Sequence, residues 1–384
     1  MALPYWRLSG FYFFYFAALG TYLPYWGLYL KQNGFSARQI GEIISILVAT
    51  KIVAPYLWGW LADKTGSCLR LIRWSSALSA VSFAGFLYTV DYYWVALVTF
   101  CYSMFWNATL PQFEAATLLH LQTEPQRYSR VRLWGSVGFI AAVLGVGGLL
   151  EFVPVHTLPA VILALLAANW LTALSIPEVV ANVKHQDQGS LWQLLWRPEV
   201  LAFFLVYLLL QISHGPYYAF YSLYLQQFHY STTWTGLLWS LGVAAEILLF
   251  VWVAGILNYL SLRRLLLISL GLTVFRWWLI AYYPSNLPWV LIAQTLHAAS
   301  FGIAHVVAMQ LLRHYFGARH QGKGQALYAS LSFGLGGMIG SFYSGYCWER
   351  LGGGSVFVIA ALAAGVGLLV AYLGVGRQKV PALG

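Results

Sequence analysis

The chain has 384 residues, 60% of them hydrophobic and 8% charged, with mean hydropathy +0.69 and a formal net charge of +10. A soluble domain carries about 25% charged residues, so no water-surrounded core could hide this much apolar surface, and a soluble globular fold is excluded. The basic residues build no continuous face, which removes a nucleic-acid partner; the membrane has to act as solvent.

Apolar runs of the roughly 20 residues needed to cross a bilayer recur twelve times: 8–30, 38–61, 70–90, 93–121, 132–151, 156–176, 199–226, 233–257, 263–283, 287–313, 324–347 and 354–375. With both termini cytoplasmic, sixteen Lys and Arg fall on the inner side. Only Lys31, Arg38 and Arg350 fall on the outer. That asymmetry obeys the positive-inside rule and accounts for the net charge. The first run is long, aromatic and without a small-residue cleavage site, so it reads as a span and not as a signal peptide. Cys68, Cys101 and Cys347 are scattered, with no metal spacing and no disulfide framework.

In chain order, the first span carries Tyr15, Tyr22, Trp26 and Tyr29 along one side. The second holds Lys51 and ends in Gly59-Trp60-Leu61-Ala62-Asp63-Lys64-Thr65-Gly66. This loop resembles the G-x-L-x-D-x-x-G signature of the major facilitator superfamily, in the place where that family carries it. The resemblance implies that Gly59, Asp63 and Gly66 belong to a cytoplasmic gate, the aspartate capping a helix end and pairing with a nearby arginine. Ser67 and Cys68 stand where the family usually has basic residues, and Asn258 replaces the aspartate in the second half. The fourth span shows a polar stripe of Asn107, Pro111, Glu114 and Thr117, at the three- and four-residue spacing of one helix face.

Pro177 to Pro198 is the longest polar stretch and separates six spans from six. The expected organisation is a bundle over 1–177, a cytoplasmic linker over 178–197 and a second bundle over 198–384. An offset of 195 residues lays the halves on one another. Phe35-Ser36 through Gly41 meets Tyr230-Ser231 through Gly236, Gly20 meets Gly215, Tyr22 meets Tyr217, Tyr29 meets Tyr224, and Lys51 meets Glu246. Duplicated halves are common in secondary transporters.

In the second half, span seven carries Gln211, His214, Tyr218 and Tyr221, and span ten carries Gln294, His297, Phe301 and His305. Stripes on spans one, four, seven and ten agree with the helices that line the cavity in the major facilitator fold. The alternative for any single stripe is hydrogen bonding between helices with no ligand.

Four ionisable groups other than histidine lie deep in spans: Lys51, Glu114, Glu246 and Arg276. Unpaired, they would together cost roughly 10–14 kcal/mol on insertion scales. Depth along the spans suggests Lys51 with Glu114 and Glu246 with Arg276, the latter beside His214 and His297. Structural ties are the alternative for both pairs. A dry site disfavours the charged form of a carboxylate and a neighbouring cation favours it, a combination suited to carrying a proton. The expectation is that Glu246 carries the coupling proton, Arg276 drives its release, His297 or His305 relays, and Glu114 is the second candidate.

Arg132-Leu133-Trp134-Gly135-Ser136, Gly242-Val243-Ala244-Ala245-Glu246, Arg276-Trp277, His297 and His305 resemble the phenylpropionate permease group of the same superfamily. The acid, arginine and histidine on spans eight to ten are also similar to the lactose permease arrangement. The resemblance implies an all-α membrane protein of twelve helices in two pseudo-symmetric six-helix bundles. It further implies proton-coupled import of a small organic acid such as an aromatic carboxylate, with Arg132 in the gating set. From the residues themselves, Lys51 or Arg276 could hold a carboxylate. Tyr22, Trp26, Tyr217, Tyr218 and Tyr221 could stack a ring, a sugar or a nucleoside, with Asn107, His214 and Gln294 as polar contacts. The chain is expected to be a monomer in a bacterial inner membrane, to need no metal or cofactor, and not to be an enzyme. A uniporter, or a proton symporter for a sugar or nucleoside, is the alternative.

Overall fold

The computed structural model describes residues 3–122, 124–178 and 192–376. Among these the chain is helical, without strands. Helices α1 (Tyr5–Gln32), α2 (Ala37–Thr65), α3 (Cys68–Ala84), α4 (Tyr92–His120), α5 (Tyr128–Leu149) and α6 (Leu158–Ser175) precede a short α7 (Trp192–Leu195). Then come α8 (Pro198–Gln227), α9 (Thr232–Tyr259), α10 (Leu262–Tyr282), α11 (Leu287–Thr295), α12 (Ala304–Tyr328), α13 (Gly337–Leu351) and α14 (Gly353–Gly374). Eight stretches among the described residues are long and apolar enough to cross a membrane. The expected spans outside those eight fall on α1, α3, α4 and the α12–α13 region. There helices do form, but rows of Tyr and Trp dilute α1 and α4, and α3 has only 17 residues.

The helices begin where short polar side chains can satisfy free backbone N–H groups. Ser36 and Gln39 form a reciprocal capping box at α2, the Gln39 amide donating to Ser36 Oγ at 3.2 Å. The residues 195 further on repeat this contact: the Trp234 amide donates to Ser231 Oγ at 3.3 Å. Gly20 and Gly215 are matched in the same way. A Cβ at Gly20 would stand 2.8 Å from the Phe139 carbonyl oxygen, and one at Gly215 would overlap the backbone of Gly340. Both glycines therefore let a helix backbone come against its neighbour, α1 on α5 and α8 on α13.

Two compact units result: Met1–Lys184 with His229–Ser240, and His185–Phe228 with Leu241–Gly384. The expected linker lies largely outside the described residues. The first turns of α9 belong to the first unit while the rest of that helix belongs to the second. In the first unit α1 packs on α5 and α6, and α4 on α2 and α3. In the second, α8 packs on α13 and α14, α10 packs on α14, and the core gathers around Phe203, Tyr207, Leu266, Leu270 and Leu311.

Glu151 stands in the turn just beyond α5 and closes the start of α9. Its Oε1 accepts from the Thr233 amide at 2.9 Å and from Thr232 Oγ1 at 3.1 Å. Those donors, the backbone amide first, hold its carboxyl at about 2, against an ordinary 4.5. A depressed carboxyl stabilises the fold above its ordinary range and loses that contribution as pH falls toward the folded value. Glu151→Gln is therefore expected to lower the melting temperature at pH 7, and the gap from the native chain should close between about pH 4.5 and 2. A gap that persists at the acid end, read by differential scanning fluorimetry, would contradict this.

Candidate functional site

The second unit holds the site. Arg276 on α10 is fully buried, 0% exposed. Its Nε donates to the Ala293 carbonyl at 2.9 Å, and its Nη1 lies 2.9 Å from both Ser300 Oγ and His297 Nδ1. Its guanidinium carbon stands over the rings of Tyr217 at 4.3 Å and Trp277 at 4.5 Å. The other nitrogen of His297, Nε2, is 2.6 Å from Glu246 Oε1. The expected direct pair of Glu246 with Arg276 is thus replaced by a chain in which His297 sits between them.

Hydrogen-bond logic assigns the protons. A guanidinium has donors only, so His297 Nδ1 accepts from Arg276 and carries no hydrogen. The imidazole proton is then on Nε2, which donates to Glu246. In this arrangement His297 is neutral, and gaining a second proton would require it to break from Arg276. Glu246 faces no such constraint. Its bonded oxygen accepts from Nε2 whether the carboxyl is ionised or protonated, so a proton can arrive or leave with the network intact.

Two helix features set the geometry. Residues 298–303 form a π-helical turn between α11 and α12. Its wider i→i+5 turn accompanies a ladder of rings: His297 on Phe301 at 5.6 Å and Phe301 on His305 at 6.2 Å. The Phe301 ring separates the two imidazoles in that ladder and cannot itself pass a proton. Gln294, one turn earlier, accepts from Tyr217 Oη at 3.0 Å. His214 donates from Nδ1 to the Leu210 carbonyl at 2.8 Å and stacks on Tyr218 at 5.9 Å, while Tyr221 meets Tyr217 at 4.9 Å. A small cleft of about 10 Å³ opens in the same unit, with Gln211, Ser300, Phe301, His305, Tyr328 and Ser332 among its walls.

In the first unit, the expected Lys51–Glu114 pair does not form. Glu114 Oε1 instead lies 3.5 Å from Arg132 Nε, and that guanidinium also covers Phe16 at 4.2 Å. Arg132, expected in the gate, is thereby the partner of the intramembrane acid. Asp63 has no basic partner among the described residues and caps no helix; the turn rests on Gly66, whose φ of +67° ends α2. Gly59 lies in the same helix, where a Cβ would meet only Gln112. Asn107 is a tie between helices, donating to the Leu47 carbonyl and to Thr50 Oγ1, each at 2.8 Å. Tyr22 and Trp26 stack at 4.9 Å, and Trp26 is buried against Phe83 and Phe86, as packing and not as an open wall. Ser300 and Trp277 are site residues that depth and stripe arguments did not pick out. Ser300 stands three residues after His297, a spacing that in hindsight carries the signal.

Apolar helices here shelter a carboxylate, an imidazole and a guanidinium joined in a chain, and ionisable groups set inside a membrane commonly mark substrate or ion pathways. The chain belongs to the MFS_1 like family, which it matches over residues 5–359, and so to the major facilitator superfamily; it is not an enzyme. It is 30% identical over 365 residues to the "Probable 3-phenylpropionic acid transporter" of Escherichia coli (strain K12), covering 92% of this chain and 93% of that protein. It is 27% identical to the "Maltose permease" of Geobacillus stearothermophilus, covering 96% and 94%. The crystal structure of the nucleoside transporter NupG shares the fold, with a TM-score of 0.86 at 20% identity over 97% of this chain and 99% of that one.

Proposed function

We propose that the protein is a proton-coupled symporter importing a small organic acid, an aromatic carboxylate such as phenylpropionate, by alternating access. In this reading the bundles are 1–177 and 198–384, joined by a cytoplasmic linker over 178–197, and a monomer sits in a bacterial inner membrane with both termini cytoplasmic. The observation that carries it is the Glu246–His297–Arg276 chain. A carboxylate inside hydrocarbon is costly, and a structural tie would be met by one cation. Here a neutral imidazole is interposed, and it leaves Glu246 as the one member of the chain able to change protonation without breaking a bond. The acid as substrate rests on the likeness to the 3-phenylpropionic acid transporter. The likeness to a maltose permease favours a second reading, a sugar symporter.

Purified protein in vesicles separates these. With an inward proton gradient, labelled 3-phenylpropionate is expected to accumulate above its external concentration, and an uncoupler should reduce it to equilibrium. Accumulation of maltose but not of the acid would favour the second reading; equilibration indifferent to the gradient would make the protein a uniporter.

A further inference from the structure

Of the four ionisable groups set deep in the spans, Lys51 is the one for which no hydrogen-bond or ion-pair partner is seen among the described residues. Among the described residues no carboxylate pairs with it, because Glu114, the acid within reach by depth, is taken by Arg132. A lone ammonium in the hydrocarbon region is unfavourable, so water, an anion from outside the chain or loss of its proton must offset it.

The side chain does not face lipid. Helix α2 exposes an apolar stripe of Val53, Tyr56, Leu57 and Trp60. At 3.6 residues per turn, positions two, five, six and nine after Lys51 centre on the opposite side of the helix. Helix α9 repeats the pattern: Leu248, Val251 and Trp252, at the same intervals after Glu246, are exposed. Glu246 on that inward face meets His297. Lys51 thus occupies, in the first unit, the position that in the second unit carries the proton site. Its own turn is held in place by the Asn107 bonds to Leu47 and Thr50.

The other candidate cation is closed off. Arg276 has no accessible surface; its Nε and Nη1 are engaged, and its Nη2, which has no hydrogen-bond partner, is buried with them. Lys51, by contrast, keeps part of its surface exposed.

We propose that Lys51 is the counter-ion for the carboxylate of the transported acid, and that Arg276 does not touch the substrate. This rests on the organic-acid reading above. The ammonium donates hydrogen bonds to the incoming carboxylate, and the charge lacking a partner in the empty protein gains one on loading.

The test is binding by the purified full-length chain of 3-phenylpropionate and of its uncharged analogue 3-phenylpropan-1-ol. K51Q is expected to weaken acid binding by about tenfold or more, the scale of a charge-assisted contact, while alcohol binding stays as in the native chain. K51R should restore most of the acid affinity. Without ligand, K51Q should melt higher than the native chain, because an uncompensated charge has gone; a structural lysine would give the reverse. Native acid affinity in K51Q, equal loss of acid and alcohol, or a K51Q chain too unstable to purify would each overturn the proposal. If the native chain binds neither 3-phenylpropionate nor other small acids, the organic-acid reading itself falls and takes the Lys51 assignment with it. If the native chain binds the acid and K51Q binds it equally, only the assignment falls.

Discussion

Glu246→Gln is expected to abolish uphill, pH-driven uptake in vesicles while leaving exchange of substrate across the membrane in place. Glutamine keeps the length of the side chain, and its carbonyl can still accept from His297 Nε2, so the 2.6 Å contact has a neutral replacement. What disappears is the member of the Glu246–His297–Arg276 network that can load a proton while His297 stays bonded to Arg276. A permanently neutral residue mimics the loaded form, which can move with substrate but cannot discharge. Accumulation should fall to equal concentrations inside and out, with counterflow rates close to native. Uphill uptake by this variant at the native level would remove Glu246 from coupling.

Arg276→Met should be the most damaging single change for stability. It leaves His297 Nδ1, Ser300 Oγ and the Ala293 carbonyl without their donor in a site of zero exposure. It also removes the cation from the faces of Tyr217 and Trp277. Breaking one partner of a buried charged network costs about 3–5 kcal/mol, far more than the packing methionine can return. Arg276→Lys keeps the charge but not the planar fork that reaches three acceptors at once, so it should recover only part of the loss. A second consequence separates this role from a bulk one. Without the guanidinium donor, His297 Nδ1 is free to take a proton, so residual transport should depend on pH differently from the native chain. A melting temperature within a degree of native, measured in detergent, would contradict the network's importance.

Much of this architecture was legible from residues alone. Composition dictated a membrane solvent, because backbone and apolar side chains have no other place to be satisfied. The offset of 195 anticipated the paired caps at Ser36 and Ser231 and the paired close approaches at Gly20 and Gly215, since turns and crossings depend on local residue type. The membership of the second-unit site, Glu246, Arg276 and His297, followed from cost: ions inside hydrocarbon must find one another.

Pairing did not follow. Depth along a helix gives the height of a side chain but not its direction around the bundle, so Glu114 was matched to Lys51 when Arg132 points at it. Arg132 lies at the start of an apolar run, where spacing alone does not separate a cytoplasmic charge from one that turns toward a neighbouring helix. His297 was placed beside the ion pair when it lies within it, a difference of one hydrogen bond that only the relative rotation of α9, α10 and the α11–α12 turn decides. The gate motif shows the same limit: Asp63 has the right sequence neighbours, but a partner for it has to come from another segment.

By itself, then, the order of residues determined the solvent, the helices, the duplicated plan and which charges needed company, because each of these depends on a residue's own chemistry and its near neighbours. Which charge met which, the neutral state of His297 and the isolation of Lys51 were decided by tertiary packing. Those properties depend on the rotation of one helix against another, and no spacing along a chain encodes that angle.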